Sequence, residues 1–369
     1  MNLSRTSLLS TIVFVGFGGQ LEAQSGHAAL KVEVDAIVTA ALKKLNVPGT
    51  SLLVAIGDEV VFEKGYGNAD VENEVGVTPS TVFRIGSITK QFTSAAILKL
   101  IDAGRLKLDD EWNKLVPEFA FPGKKITVRQ LLNHTSGIKS FTGLGKKYRE
   151  IESKRIKHKE LFALIAKEPF DFEPGAGFKY NNSGYYLLGV LIEKISGKSY
   201  ERFLNSEIYS AAGVQQTRYG GAQAIVAHRA RGYTRSGGAV ANAKIISMRP
   251  PFAAGALLST TRDLHRWNRS LHGGKVVSKE SYRKMITPVG KGVLGPRGYA
   301  FGLVIDKKHG EARISHGGSI AGFNTFLAYY PARELTVVLL YNFDRARPAV
   351  LADRVAAKVL ERTSKKKVK

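Results

Sequence analysis

Short strand patterns lie at both ends of this chain, and a long helical stretch separates them. Near the start, Thr50 to Ile56 and Val60 to Lys64 alternate around the turn Gly57-Asp58. After Gly298 come Tyr299 to Asp306, Glu311 to His316, Asn324 to Tyr330 and Glu334 to Tyr341, short and rich in β-branched and aromatic residues. From Leu106 to about Ile245 helical spacing dominates instead, in Val128 to Leu132, Lys159 to Ala166, Tyr185 to Ile195 and Tyr200 to Ile208. Pro174-Gly175 and Ser196-Gly197 mark turns between them. Such an order closes most economically as one antiparallel sheet built from both termini. Helices from Ala28 to Leu45 and from Ala349 to Glu361 would cover it. The expected fold class is α/β (α+β). Residues 24–105 and 246–369 would form a discontinuous sheet domain, and residues 106–245 a mostly helical one. Gly65 to Val77, glycine-rich and polar, reads as a loop.

The first residues read as a leader. Arg5 precedes the apolar run Leu8 to Phe17, and Leu21-Glu22-Ala23 offers small-residue cleavage before Gln24. Residues 1–23 are therefore expected to be a signal peptide, and the mature protein secreted or periplasmic. No later stretch is apolar over a length that spans a bilayer. The chain has no cysteine, which excludes disulfides, thiol catalysis and cysteine-ligated metals. The formal charge is +24, from 55 Lys and Arg against 31 Asp and Glu. A field of that sign attracts anionic polymers, so an anionic cell-envelope polymer is a candidate partner. No nucleic-acid-binding module is recognisable, and export argues against that partner.

The chemistry concentrates at Phe83-Arg84-Ile85-Gly86-Ser87-Ile88-Thr89-Lys90. An extended segment passes through a glycine into the apolar helix Phe92 to Ile101, which stops at Ala103-Gly104. Ser87 and Lys90 are three residues apart, which puts both side chains on one helical face. A serine hydroxyl needs an activating base, and a half-buried helix would desolvate Lys90 and lower its pKa. Spacing alone is weak evidence, because Ser-x-x-Lys recurs at Ser136, Ser281 and Ser364. Two further elements supply what acyl transfer needs. Tyr180-Asn181-Asn182 precedes the Tyr185 helix and offers a phenol and an amide. His316-Gly317-Gly318-Ser319 ends a predicted strand, where glycines let a substrate backbone come close and the amides of Ser87 and Ser319 would pair as an oxyanion hole. Tyr66-Gly67-Asn68 and His272-Gly273-Gly274 repeat these patterns in places that read as turns.

In this order, the three elements resemble the class C β-lactamase and D-alanyl-D-alanine carboxypeptidase superfamily, which also contains esterases and D-aminopeptidases. Gly65 to Asp70, Leu131-Leu132-Asn133-His134-Thr135-Ser136-Gly137, Asn182 to Gly189 and Gly255 to Trp267 extend the likeness over nearly all of the mature chain. The resemblance implies a β-lactamase/transpeptidase-like fold and a serine hydrolase without metal or organic cofactor, acting on a small-molecule or peptide substrate. It implies that Ser87 is the nucleophile and Lys90 its activating partner. Tyr180 would be general base and proton carrier, the division of that role being open. Asn182, His316, Gly317 and Gly318 would contact substrate. His316 stands where a class C β-lactamase has the lysine of Lys-Thr-Gly. Histidine is mostly neutral at pH 7, so esterase or D-peptidase action is expected ahead of β-lactam hydrolysis. The alternatives are a weak β-lactamase, or a non-catalytic envelope-binding protein on the same fold.

Overall fold

The computed structural model describes residues 17–221 and 223–365. Most of the expected leader, and Lys367 of the fourth Ser-x-x-Lys copy, lie outside the described residues. Eight strands form one sheet: β1 (Gly49–Ile56), β2 (Glu59–Asp70), β3 (Val75–Gly76), β4 (Val289–Tyr299), β5 (Val304–Lys308), β6 (Glu311–Ile320), β7 (Phe323–Tyr330) and β8 (Leu335–Tyr341). Their order is β3-β2-β1-β8-β7-β6-β5-β4. The central seam joins the chain's two ends: β1 and β8 pair antiparallel from Thr50 opposite Tyr341 to Ile56 opposite Leu335. This is the sheet the two sets of strand patterns predict.

Both faces of the seam are covered, which is why β1 and β8 are buried along almost their whole length, with Leu52 to Ile56 and Val337 to Tyr341 apolar throughout. Alternate residues go to opposite cores. Leu52, Val54, Val337 and Leu339 pack against α1 (Phe17–Leu45) and α5 (Pro348–Lys365) through Val34, Val38, Val355 and Val359. Leu53, Ala55, Val338 and Leu340 join the larger core with α2 (Thr89–Asp102), α3 (Asn182–Ser196) and α4 (Thr261–His272). There Phe92 stacks on Trp267 at 3.9 Å, and the indole donates to Gln91 Oε1 at 2.8 Å. Among the described residues no helix is long and apolar enough to cross a membrane.

Two expectations need correction. The loop expected over Gly65 to Val77 is largely sheet, because β2 runs on to Asp70 and β3 pairs with it. Its glycines serve close packing: a Cβ on Gly65 would meet Val77 O at 2.1 Å. The strand expected over Tyr299 to Asp306 is two strands, broken at Ala300 to Leu303. At the break Gly302 has φ +71°, and a Cβ there would lie 2.7 Å from Lys90 O. The break therefore presses the chain onto α2. The middle stretch, expected to be mostly helical, also carries short strands. Arg218–Tyr219 pairs with Leu257–Ser259, and Tyr233–Ser236 forms a hairpin with Ala239–Asn242. The Tyr200 helix becomes a π-helix from Leu204.

Candidate active site

Ser87 sits in a 3₁₀ turn, Gly86–Ile88, directly before α2. Three anchors hold that turn. Phe83–Arg84 pairs with Leu257–Ser259. Thr325 of β7 donates its hydroxyl to Ile85 O at 2.9 Å. Gly318 of β6 lies so close that a Cβ there would be 1.9 Å from Ile85 O. Gly86 itself has φ +51°, and its Cβ would be 2.9 Å from Ser319 N. The glycines at 86 and 318 thus let β6 and the serine turn touch, which brings Ser319 beside Ser87. Gly317 and Ser319 face outward from the strand, while Gly318 is buried under the turn.

Lys90 is fully buried, at 0% exposure. Its Nζ makes three contacts: Ser87 Oγ at 3.1 Å, Asn182 Oδ1 at 2.8 Å and Ala254 O at 2.7 Å. No carboxylate is among them, and loss of hydration holds its pKa well below the usual lysine value. The amide of Asn182 is oriented from both sides. Its oxygen meets the amine, and its Nδ2 donates to Thr142 Oγ1 at 2.9 Å.

The hydroxyl of Tyr180 lies beside Ser87, and its ring centroid lies 4.9 Å from Lys90 Nζ. It is 37% exposed to solvent. Burial around the hydroxyl nevertheless raises the phenol above its ordinary pKa. Asn181 positions it: the Asn181 carbonyl oxygen Oδ1 caps α3 by accepting from Gly184 N at 3.0 Å.

His316 is 5% exposed, with its ring centroid 6.2 Å from that of Tyr180. Its Nδ1 lies 2.6 Å from Gly317 O, which can only accept, so the proton sits on Nδ1. Nε2 is then the acceptor for Tyr299 OH at 3.2 Å. Burial, with the nearby Lys90 charge, takes the imidazole down to about 4. Both nitrogens are thus engaged inside the protein and the ring is neutral. It is not a cation waiting for a substrate carboxylate.

The structure therefore brings Ser87, Lys90, Tyr180, Asn182, His316 and Ser319 into one place. Among the described residues, the other copies of these motifs are engaged elsewhere. Ser136 is buried and Lys139 is paired with Asp171. Ser281 Oγ donates to Asp102 at 2.6 Å. Tyr66 OH donates to Asp35 of α1 at 2.7 Å. His272 is bonded to Tyr282 and stacked on Tyr329.

Two residues were missed as parts of the site. His134 is buried at φ +64°, with Tyr180 and Tyr299 ring centroids 4.4 and 4.5 Å away. Its Nδ1 accepts from Asn181 N at 3.2 Å, and burial holds its pKa well below the histidine value. It is the floor on which Tyr180 rests. The Leu131 to Gly137 segment pointed toward it; nothing in the sequence pointed to Tyr299. The open cleft above, of about 370 Å³, is lined by Ser87 and Asn182 together with Thr142, Tyr148, Glu152 and Lys244.

The chain is similar to known proteins over most of its length. "Protein flp" of Staphylococcus aureus (strain COL) is 28% identical over 325 residues, covering 85% of this chain. The chain spans 63% of that relative's own length. The octameric penicillin-binding protein homologue from Pyrococcus abyssi is 31% identical and superposes with TM-score 0.76, covering 89% of this chain and 77% of that one. A D-stereospecific amidohydrolase from Streptomyces sp. is 28% identical with TM-score 0.76, covering 88% and 97%. The family model described as Beta-lactamase matches residues 34–361. The fold is β-lactamase/transpeptidase-like, and the chain belongs to this Beta-lactamase family of serine hydrolases.

Proposed function

We propose that this protein hydrolyses an ester or an amide, of the short-ester or D-amino-acid type, through an acyl-enzyme on Ser87. The observation that carries the reading is the buried amine of Lys90 and its three contacts. As an ammonium it would donate to all three oxygens. As a neutral amine it still donates to Asn182 and Ala254, and its lone pair faces the Ser87 hydroxyl. Desolvation favours the neutral form. Lys90 is then the base that takes the Ser87 proton while Oγ bonds to the substrate carbonyl carbon. Tyr180, its phenol raised above the ordinary range, acts as a proton donor and not as a resting phenolate. It delivers a proton to the leaving nitrogen or oxygen as the carbonyl bond to it breaks. The amides of Ser87 and Ser319 stabilise the oxyanion. Water then releases the acyl group by the same steps in reverse.

The likeness to a D-stereospecific amidohydrolase supports amides of D-amino acids, and neutral His316 argues against substrates that need a cation at that position. The test is labelling with a fluorophosphonate, located by peptide mass spectrometry, beside turnover of aryl butyrate, D-phenylalanine amide, a D-Ala-D-Ala peptide and a chromogenic cephalosporin. The label is expected on Ser87. Ser87→Ala should abolish labelling and lower turnover by about 10³-fold or more. Labelling of the variant at the wild-type level would refute the assignment.

A further inference from the structure

Beside the serine cleft lies a second cavity of about 570 Å³, lined by Arg84, Arg229, Arg231 and Lys244 with no aspartate or glutamate. Two of these cations are accounted for: Arg231 pairs with Asp70 and Glu72, and Lys244 with Glu152. Arg84 and Arg229 are not. Among the described residues neither has a carboxylate partner. The one hydrogen bond Arg84 makes is to the carbonyl of Ala321, at 3.5 Å, with its guanidinium over the Phe323 ring at 5.7 Å.

Backbone pairing holds the two arginines on neighbouring segments. Val82 bridges Arg229, with Val82 N donating to His228 O at 2.9 Å and Ala230 N to Val82 O at 3.0 Å. Each guanidinium is half-buried, and desolvation with the neighbouring charge of Arg229 takes Arg84 down to about 10. Holding two like charges together out of water is unfavourable unless an anion sits between them. Ala321 and Lys244 line this cavity and the serine cleft alike, so the two spaces share a wall. Arg84 is also three residues before Ser87 on the same anchored segment.

We propose that Arg84 and Arg229 form an oxyanion subsite that receives a carboxylate or phosphate group of the substrate, away from the scissile bond. This names a substrate class for the reaction proposed above and, in that respect, rests on it. The subsite supplies the cation that neutral His316 does not. Arginine suits the task because its planar fork binds a carboxylate or phosphate through two donors.

Binding tests the subsite without any turnover. Adipate and inorganic phosphate are titrated calorimetrically into wild type, Arg84→Gln, Arg229→Gln and Arg229→Lys. Wild type should bind at least one of them. Both glutamine variants should bind about tenfold more weakly or worse, and Arg229→Lys should recover part of the loss, which separates lost charge from lost folding. The tighter anion identifies the group. A wild type that binds neither, or glutamine variants that bind as well as wild type, would overturn the proposal. A second arm compares 4-nitrophenyl hydrogen adipate with 4-nitrophenyl hexanoate. The ratio of their kcat/KM should favour the adipate in wild type and fall about tenfold in Arg229→Gln; an unchanged ratio counts against the subsite. If neither ester is cleaved, the proposed hydrolysis fails, and the calorimetry still decides the subsite.

Discussion

The inner chamber and the outer wall of the cleft handle basic residues in opposite ways. Inside, Lys90, His134 and His316 are buried with no carboxylate beside them, and all three have depressed pKa values. Desolvation is the leading cause in each case, and their charges would also repel one another. Outside, Lys244 reaches Glu152 at 2.6 Å with 59% of its side chain exposed, and Arg345 meets Asp344 at 3.4 Å. There water reaches each cation and a carboxylate sits against it. A chain of net charge +24 thus buries unpaired bases at the candidate site and pairs the basic residues of the rim with carboxylates. Neutral bases are useful where a proton must be taken up; solvated ion pairs hold position and steer.

Lys90 gives the largest way to break this contrast. Lys90→Arg keeps a cation of nearly the same reach but one that cannot lose its proton. If neutrality is what matters, kcat/KM on an aryl ester falls by roughly 10²- to 10⁴-fold. Activity within tenfold of wild type would mean the residue works as a charge, and the chamber would then resemble the rim.

His316 gives the next largest. Its folded pKa, about 4, lies below the ordinary value near 6.5. Between those values the unfolded chain binds more protons than the folded one, so stability rises with pH across that window. Falling from pH 6.5 to pH 4 should cost about 3 kcal/mol from this residue. His134 adds to the loss in the same direction. Denaturant titrations at pH 4.5 and 6.5 measure it, and His316→Gln should flatten the slope. An equally steep slope in the variant would place the acid sensitivity elsewhere.

How much of this was readable beforehand follows the same division. The sheet was legible because β1 and β8 are apolar runs bounded by turns, and pattern alone assigns such segments. The chamber was legible because Ser87, Lys90, Tyr180 and Asn182 sit in short motifs whose spacing survives in the sequence. Tyr299 was not, since its place depends on a strand break at Gly302 that only contact with Lys90 explains. The wall was not legible either. Thr142, Tyr148, Glu152, Lys244 and Ile246 come from irregular segments, where position is decided by tertiary contacts. Ser247 N donating to Glu152 O at 2.8 Å, which ties two such segments together, has no local signature.

The wall also supplies the smallest expected effect. Lys244→Met removes the exposed half of the Glu152 pair. An ion pair in water gains little Coulomb energy and costs side-chain freedom, so stability should change by less than about 1 kcal/mol. Urea denaturation at low and at high salt reads this directly. The small difference should shrink further as salt screens the pair. A loss above about 2 kcal/mol, insensitive to salt, would show that the pair behaves as a desolvated one. The rim would then be as dry as the chamber, and solvent access could no longer set Lys90 apart from Lys244, the same residue type on the same cleft.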